Sequence, residues 1–211
     1  MRSVATREDI RDLILDATDR LLARYGYRKM TMEDLAQEVG IGKGTIYLHF
    51  PSKEDVVLSH VDRIVARLKD ELRKVARGAG TPASRLRRML VLRVMFRFDS
   101  VQHYTESLSD LLAALRPGLL ARRRRHFEEE SEVIAEVLAE GRREGVFDFR
   151  DAHAAARTLL TATNALLPYS LSARELGGRA ELEAEATRVV EMLLAGLLSR
   201  EESSVKKSVR K

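Results

Sequence analysis

Residues 39–50 read VGIGKGTIYLHF, three glycines two apart with a lysine between the last two. Glycine and lysine together are the materials of a phosphate cradle. A P-loop needs Gly, four residues, then Gly-Lys-Ser/Thr after a strand, so that its amides wrap a phosphate. Here the residue five before Gly42 is Gln37, Lys43 is followed by Gly44, and a capped helical pattern precedes the stretch. The dinucleotide fingerprint G-x-G-x-x-G fails as well, because the spacing is G-x-G-x-G. A nucleotide cradle does not fit.

A bend between two short helices fits at every position. Thr31 is a good N-cap, and Glu33 and Asp34 suit the positive end of a helix dipole. Ala36 is small where two helices would cross, Gly40 can take a positive φ, and Ile41 and Ile46 plug the angle. The outward residues of the second helix are then Lys43, Thr45, Tyr47 and His49, groups suited to phosphate contact and to packing on thymine methyls. Lys53 opens the next helix, where its charge and nearby amides can hold another phosphate. A plain helical hairpin gives no reason to cluster these groups on so short a helix.

Other chemistry is scarce. Asp99 and His103 stand four apart and form half of a metal site, with no third ligand evident. No H-E-x-x-H, G-x-S-x-G or repeated Glu-x-x-His pattern occurs. The chain has no cysteine, which removes disulfides, thiolate metal sites and a cysteine nucleophile. A non-enzyme without metal or cofactor is expected.

The elements that must position these groups are helical. Ala, Leu, Arg and Glu dominate, aromatics make up 5%, prolines number four, and no alternating β-branched run appears. Ile10, Leu13, Ile14, Ala17, Leu21 and Tyr25 give a first helical face ending at Gly26. The short pair follows, and Ser52 caps a fourth helix with Val57, Val61, Ile64, Val65 and Leu68 inside. Beyond GAGTP at 78–82 the spacing predicts helices over 83–99, 103–115, 119–144, 151–171 and 179–199, with a break at Arg116-Pro117-Gly118. The expected fold is all-α with about nine helices. Residues 8–68 are expected to form a three-helix DNA-binding domain (helix-turn-helix at 31–50) and residues 69–199 a helical bundle. Residues 200–211 lack apolar periodicity and are expected to be a disordered basic tail.

Net charge is +5 with a pI of about 9.6, but residues 1–55 hold nine Lys/Arg against ten Asp/Glu. The excess lies in ARRRRH and in the tail, so position rather than charge carries the nucleic-acid reading. In ARRRRHFEEE, Arg124 with Glu128 and Arg125 with Glu129 are four apart and can pair along a solvated helix. Acids interrupt the N-terminus, and no run approaches the ~18 apolar residues of a membrane span. A soluble cytoplasmic protein without membrane partners is expected.

The stretch TMEDLAQEVGIGKGTIYLHFPSKEDV closely resembles the helix-turn-helix of TetR-type transcriptional regulators (TetR/AcrR), specifically over residues 8–68 and only architecturally beyond. The resemblance implies that Thr31, Lys43, Gly44, Thr45, Tyr47, His49 and Lys53 touch double-stranded operator DNA, mostly its backbone, with Arg28 as a further phosphate contact. Gly42 stands where many relatives have serine, which removes a polar contact. The implied function is a sequence-specific regulator, a repressor released from a palindromic operator by a small-molecule effector. The alternatives are an activator, or a helical adaptor or enzyme that does not bind DNA.

In such a regulator the second domain senses a ligand and forms a homodimer. The last two helices support a dimer independently, since each shows more than one apolar stripe and a surface helix needs one. Leu159, Leu166, Val190, Leu193, Leu194 and Leu197 are the interface candidates. Met95, Phe96, Asp99, His103, Tyr104, Asn164 and Tyr169 are the candidates for lining the effector site, although Met and Phe at helical spacing also suit plain core.

Overall fold

The computed structural model describes residues 6–104, 108–167 and 177–198, and within these the chain is all-α as expected. Eight α-helices appear among the described residues: α1 (Arg7–Lys29), α2 (Met32–Val39), α3 (Lys43–His49), α4 (Lys53–Ala76), α5 (Pro82–Val101), α6 (Leu108–Arg143), α7 (Ala152–Thr163) and α8 (Arg179–Ala195). Single 3-10 turns cover Gln102–Tyr104 and Asn164–Leu166. None of the described helices is long and apolar enough to cross a membrane. The expected tail and Tyr169 lie outside the described residues.

The chain forms two compact units. The first takes residues up to Val65 together with Val101–Arg122; the second takes Ala66–Ser100 and continues from Arg123. A single cut near residue 68 therefore differs from the observed packing. Tyr104, Leu108, Leu111 and Leu115 join Ile14, Leu21, Leu35, Ile46, Phe50 and Val57 in the core of the first unit. The second unit has its own core, built from Leu68, Leu72, Leu86, Leu90, Ile134, Leu138, Leu160 and Val190.

The predicted break at residues 116–118 does not occur, and α6 runs through Pro117. Proline removes one helical donor and crowds the preceding turn, a cost near 3 kcal/mol that tertiary packing must offset. The next residue supplies that packing. A Cβ on Gly118 would stand 2.4 Å from Leu58 Cδ1 and 3.1 Å from Glu54 Oε1, so glycine lets α6 lie close on α4. Gly118→Val is therefore expected to cost about 1–3 kcal/mol by overpacking, read as a lower midpoint in urea unfolding.

The dimer candidates need correction. Leu159, Val190 and Leu194 are buried in the second unit's own core. On α8 the positions Leu182, Ala186, Val190 and Leu194 recur every four residues and face inward, so this stripe already has its partner within the chain. Leu166, Leu193 and Leu197 remain partly exposed. Met192 is 78% exposed on the outward side of the same helix, a position the interface set omitted.

Candidate nucleic-acid interface

α2 begins with a reciprocal cap. Thr31 Oγ1 accepts from Asp34 N at 3.1 Å, and Asp34 Oδ2 accepts from Thr31 N at 2.8 Å. It ends at Gly40, which adopts φ 75°, ψ 34°, while Gly40 N and Ile41 N both donate to Ala36 O at 3.0 Å. That left-handed closure turns the chain sharply into α3, and only glycine takes it without strain. Leu35, Ile46 and Phe50 are buried, which fixes α3 against the unit by one face.

The opposite face of α3 is open. Lys43, Gly44, Tyr47 and Leu48 are exposed and Thr45 and His49 are half-buried. Leu48 is 74% exposed and follows Tyr47, itself 47% exposed, so the two adjoining side chains give this face an apolar portion. Sequence reasoning missed Leu48 because apolar residues are by default assigned inward. The signal was available, since Leu48 follows the outward Tyr47 and stands two positions from the inward Ile46. Nothing lies within 4 Å of a Cβ placed on Gly44, so its backbone is accessible to a close-approaching surface.

The electrostatics of this face are specific. Lys43 Nζ is 2.7 Å from Glu33 Oε2, and that hydrogen bond raises the lysine above its ordinary range, so it is fully charged at neutral pH. Burial, and then the positive charges of Arg7 and Arg11, push His49 below the ordinary histidine value. His49 thus offers a neutral ring, and Arg7 and Arg11 are cations near α3 that the motif reading left out. Arg11 also lies 4.5 Å above the Phe50 ring.

Two predicted contacts carry structural duties as well. Lys53 Nζ donates to Tyr27 O at 3.0 Å and Met30 O at 3.1 Å and lies 4.5 Å from the Tyr27 ring centre. It closes the C-terminal end of α1, leaving one of three ammonium hydrogens for another acceptor. Arg28 is exposed and pairs with Asp110 at 3.0 Å.

The described effector candidates are divided between the two units. Met95 is core in the second unit, Phe96 is partly buried, and Asn164 accepts from Arg93 Nη2 at 2.8 Å. Asp99 binds Arg179 through both oxygens, at 2.9 and 3.1 Å. His103 and Tyr104 belong to the first unit instead, because α5 ends at Val101 and the following 3-10 turn delivers them to Asp19. Asp19 Oδ1 accepts from Tyr104 Oη and lies 3.2 Å from His103 Nε2 and 3.3 Å from His60 Nε2. Hydrogen bonding from His60 leads in holding that carboxyl well below its ordinary range, while burial pushes the Tyr104 phenol well above its own. No group of three His, Cys, Asp or Glu suited to a metal occurs among the described residues.

Comparison with known proteins places this arrangement. The profile of the bacterial regulatory proteins of the tetR family matches residues 14–59, and that of the tetracyclin repressor-like C-terminal domain matches residues 82–190. An HTH-type transcriptional regulator of Haemophilus influenzae is 36% identical over 74 residues, 35% of this chain and 38% of its own length. The HTH-type transcriptional repressor KstR of Mycolicibacterium smegmatis is 35% identical over 88 residues, 42% of this chain and 43% of its own. The chain thus spans about two-fifths of the length of these curated relatives. A crystal structure of a TetR/AcrR transcriptional regulator from Thermobifida fusca superposes with a TM-score of 0.67 at 26% identity, covering 89% of this chain and 98% of that one. With one profile on the helix-turn-helix and the other over more than half of the chain, the protein belongs to the TetR family of bacterial regulators.

Proposed function

We propose that the protein is a sequence-specific DNA-binding transcriptional regulator, a repressor that a small-molecule effector releases from a palindromic operator. The observation that carries this reading is the division of α3 into a buried edge, Ile46, and an exposed edge of Lys43, Gly44, Tyr47 and Leu48. A seven-residue helix held this way fits the major groove, with Lys43 and Thr45 toward phosphates and Tyr47 and Leu48 toward base edges and thymine methyls. Thr31, Arg28, His49 and the remaining donor of Lys53 flank that contact. The family profiles and a relative that is itself a repressor support the assignment.

A second copy of the chain completes the reader. Leu166, Met192, Leu193 and Leu197 supply the outward apolar face for a two-fold interface, which sets two α3 helices about one DNA turn, or a multiple, apart. Effector binding in the second unit then favours the state whose reading helices are wrongly spaced, and operator affinity falls.

Fluorescence anisotropy against DNA flanking the protein's own gene tests the proposal. Salt-sensitive binding that prefers an inverted repeat over scrambled DNA is expected; equal affinity for both would defeat it. Glu33 competes with phosphate for Lys43, so Glu33→Gln is expected to tighten operator binding about two- to thirtyfold, the scale of one exposed ion pair in each half-site. Unchanged or weaker binding by this variant would remove Lys43 from the contact.

A further inference from the structure

The second unit encloses a polar cluster that the repressor reading does not account for. Arg93 and Glu130 are each 1% exposed. Arg93 donates from Nε to Glu130 Oε2 at 2.6 Å, from Nη1 to Thr163 Oγ1 at 3.2 Å and from Nη2 to Asn164 Oδ1 at 2.8 Å. Arg97, one helical turn on, donates from Nη2 to Glu130 Oε1. Two guanidiniums therefore share one carboxylate. The carboxylates flanking these positions in the chain are engaged elsewhere, Glu129 with Lys69 at 2.5 Å and Asp99 with Arg179.

An uncompensated charge inside a protein is expensive, and it persists where an anion completes it. Arg93 has every nitrogen bonded, so the open position belongs to Arg97. Its Nε is buried without a partner, yet its side chain is 17% exposed, so it links the buried pair to the outside. Ser131 Oγ, next in the chain to Glu130, is also buried with no partner. Phe96, next to Arg97 on α5, and Phe127, one turn before Glu130 and Ser131 on α6, are both partly buried and pack on the second unit's core.

We infer that the second unit binds a small organic carboxylate, its anionic head on Arg97 beside the Arg93–Glu130 pair and its apolar part on Phe96 and Phe127. An arginine edge matches a carboxylate in shape and charge, and the flanking rings favour a short aliphatic or aromatic tail over an inorganic ion. The inference rests on the effector half of the repressor reading and gives that effector a chemical class.

The test uses the full chain without DNA. Thermal unfolding is followed with octanoate and benzoate, with octanamide and benzamide as neutral counterparts, and with inorganic phosphate at equal ionic strength. At least one carboxylate is expected to raise Tm saturably while its amide and phosphate do not. Arg97→Gln is expected to weaken the apparent Kd about tenfold or more, the scale of a charge-assisted pair. Glu130→Gln removes the internal competitor and is expected to tighten it, an opposite sign that a purely structural role would not produce. The inference is overturned if neither carboxylate acts saturably, if the amide or phosphate matches it, or if Arg97→Gln binds like the parent. Should either variant fail to fold, Arg97→Lys, which keeps the charge and loses the planar edge, replaces it, and carboxylate binding equal to the parent's overturns the inference. Because no DNA is present, a carboxylate that binds a protein unable to bind operator would defeat the repressor reading and leave this site standing.

Discussion

Replacing Glu130 by alanine is expected to lower the unfolding free energy by about 3–5 kcal/mol, the cost of stranding buried charge when one partner of an ion pair is removed. Both oxygens of Glu130 are engaged, by Arg93 and by Arg97. Burial pushes its carboxyl upward, but the guanidiniums of Arg97 and Arg93 more than offset this and hold it below the ordinary glutamate range. The side chain is therefore ionised at neutral pH. A carboxylate whose folded pKa is depressed stabilises above its unfolded pKa, here near 4.5, and that contribution is lost as pH falls through the folded value. Urea unfolding at pH 7 and at pH 4 reads both effects. The parent should lose stability on acidification, and the alanine variant should start lower and lose less. A deficit under about 1 kcal/mol at pH 7 would mean that the two arginines find other compensation.

What the sequence made legible was local. Thr31 with Asp34, Gly40, and the inward Ile46 are decided within a few residues of one another, and each takes the role its type and spacing suggested. The long-range partners were not legible. Lys53 reaches carbonyls 23 and 26 residues back, and Arg93 finds Asn164 71 residues on, pairings that no short window contains. Periodicity announced two apolar stripes on α8 without saying which one the chain's own core would take. That spacing makes Val190 and Leu194 on α8 interface candidates, as it does Leu159 on α7, yet all three are buried in the chain's own core. The same limit explains His103 and Tyr104. Composition marked them as pocket-like, but the end of α5 at Val101 decides which side chains they meet.

The sharpest expectation concerns the open edge of α3. On the proposed reading, Lys43→Ala would remove one phosphate contact in each of two half-sites and should weaken operator binding about tenfold. It should also flatten the slope of log K against log salt by about two, roughly one per lost contact. On the same reading, Tyr47→Ala would remove ring packing and a hydroxyl from the face proposed to meet the bases. At about 1–2 kcal/mol per half-site the dimer should lose about 30- to 1,000-fold, with little change in salt slope. Neither change should disturb folding, because Lys43 is exposed and Tyr47 is 47% exposed. Ile46→Ala supplies the contrast, since Ile46 is 0% exposed and its truncation should cost about 2–5 kcal/mol of stability. Binding lost in the Lys43 and Tyr47 variants at parental melting temperature, against lost stability in the Ile46 variant, separates a reading surface from a core. If Tyr47→Ala melted early and bound DNA as the parent does, the two edges of α3 would have been assigned the wrong way round.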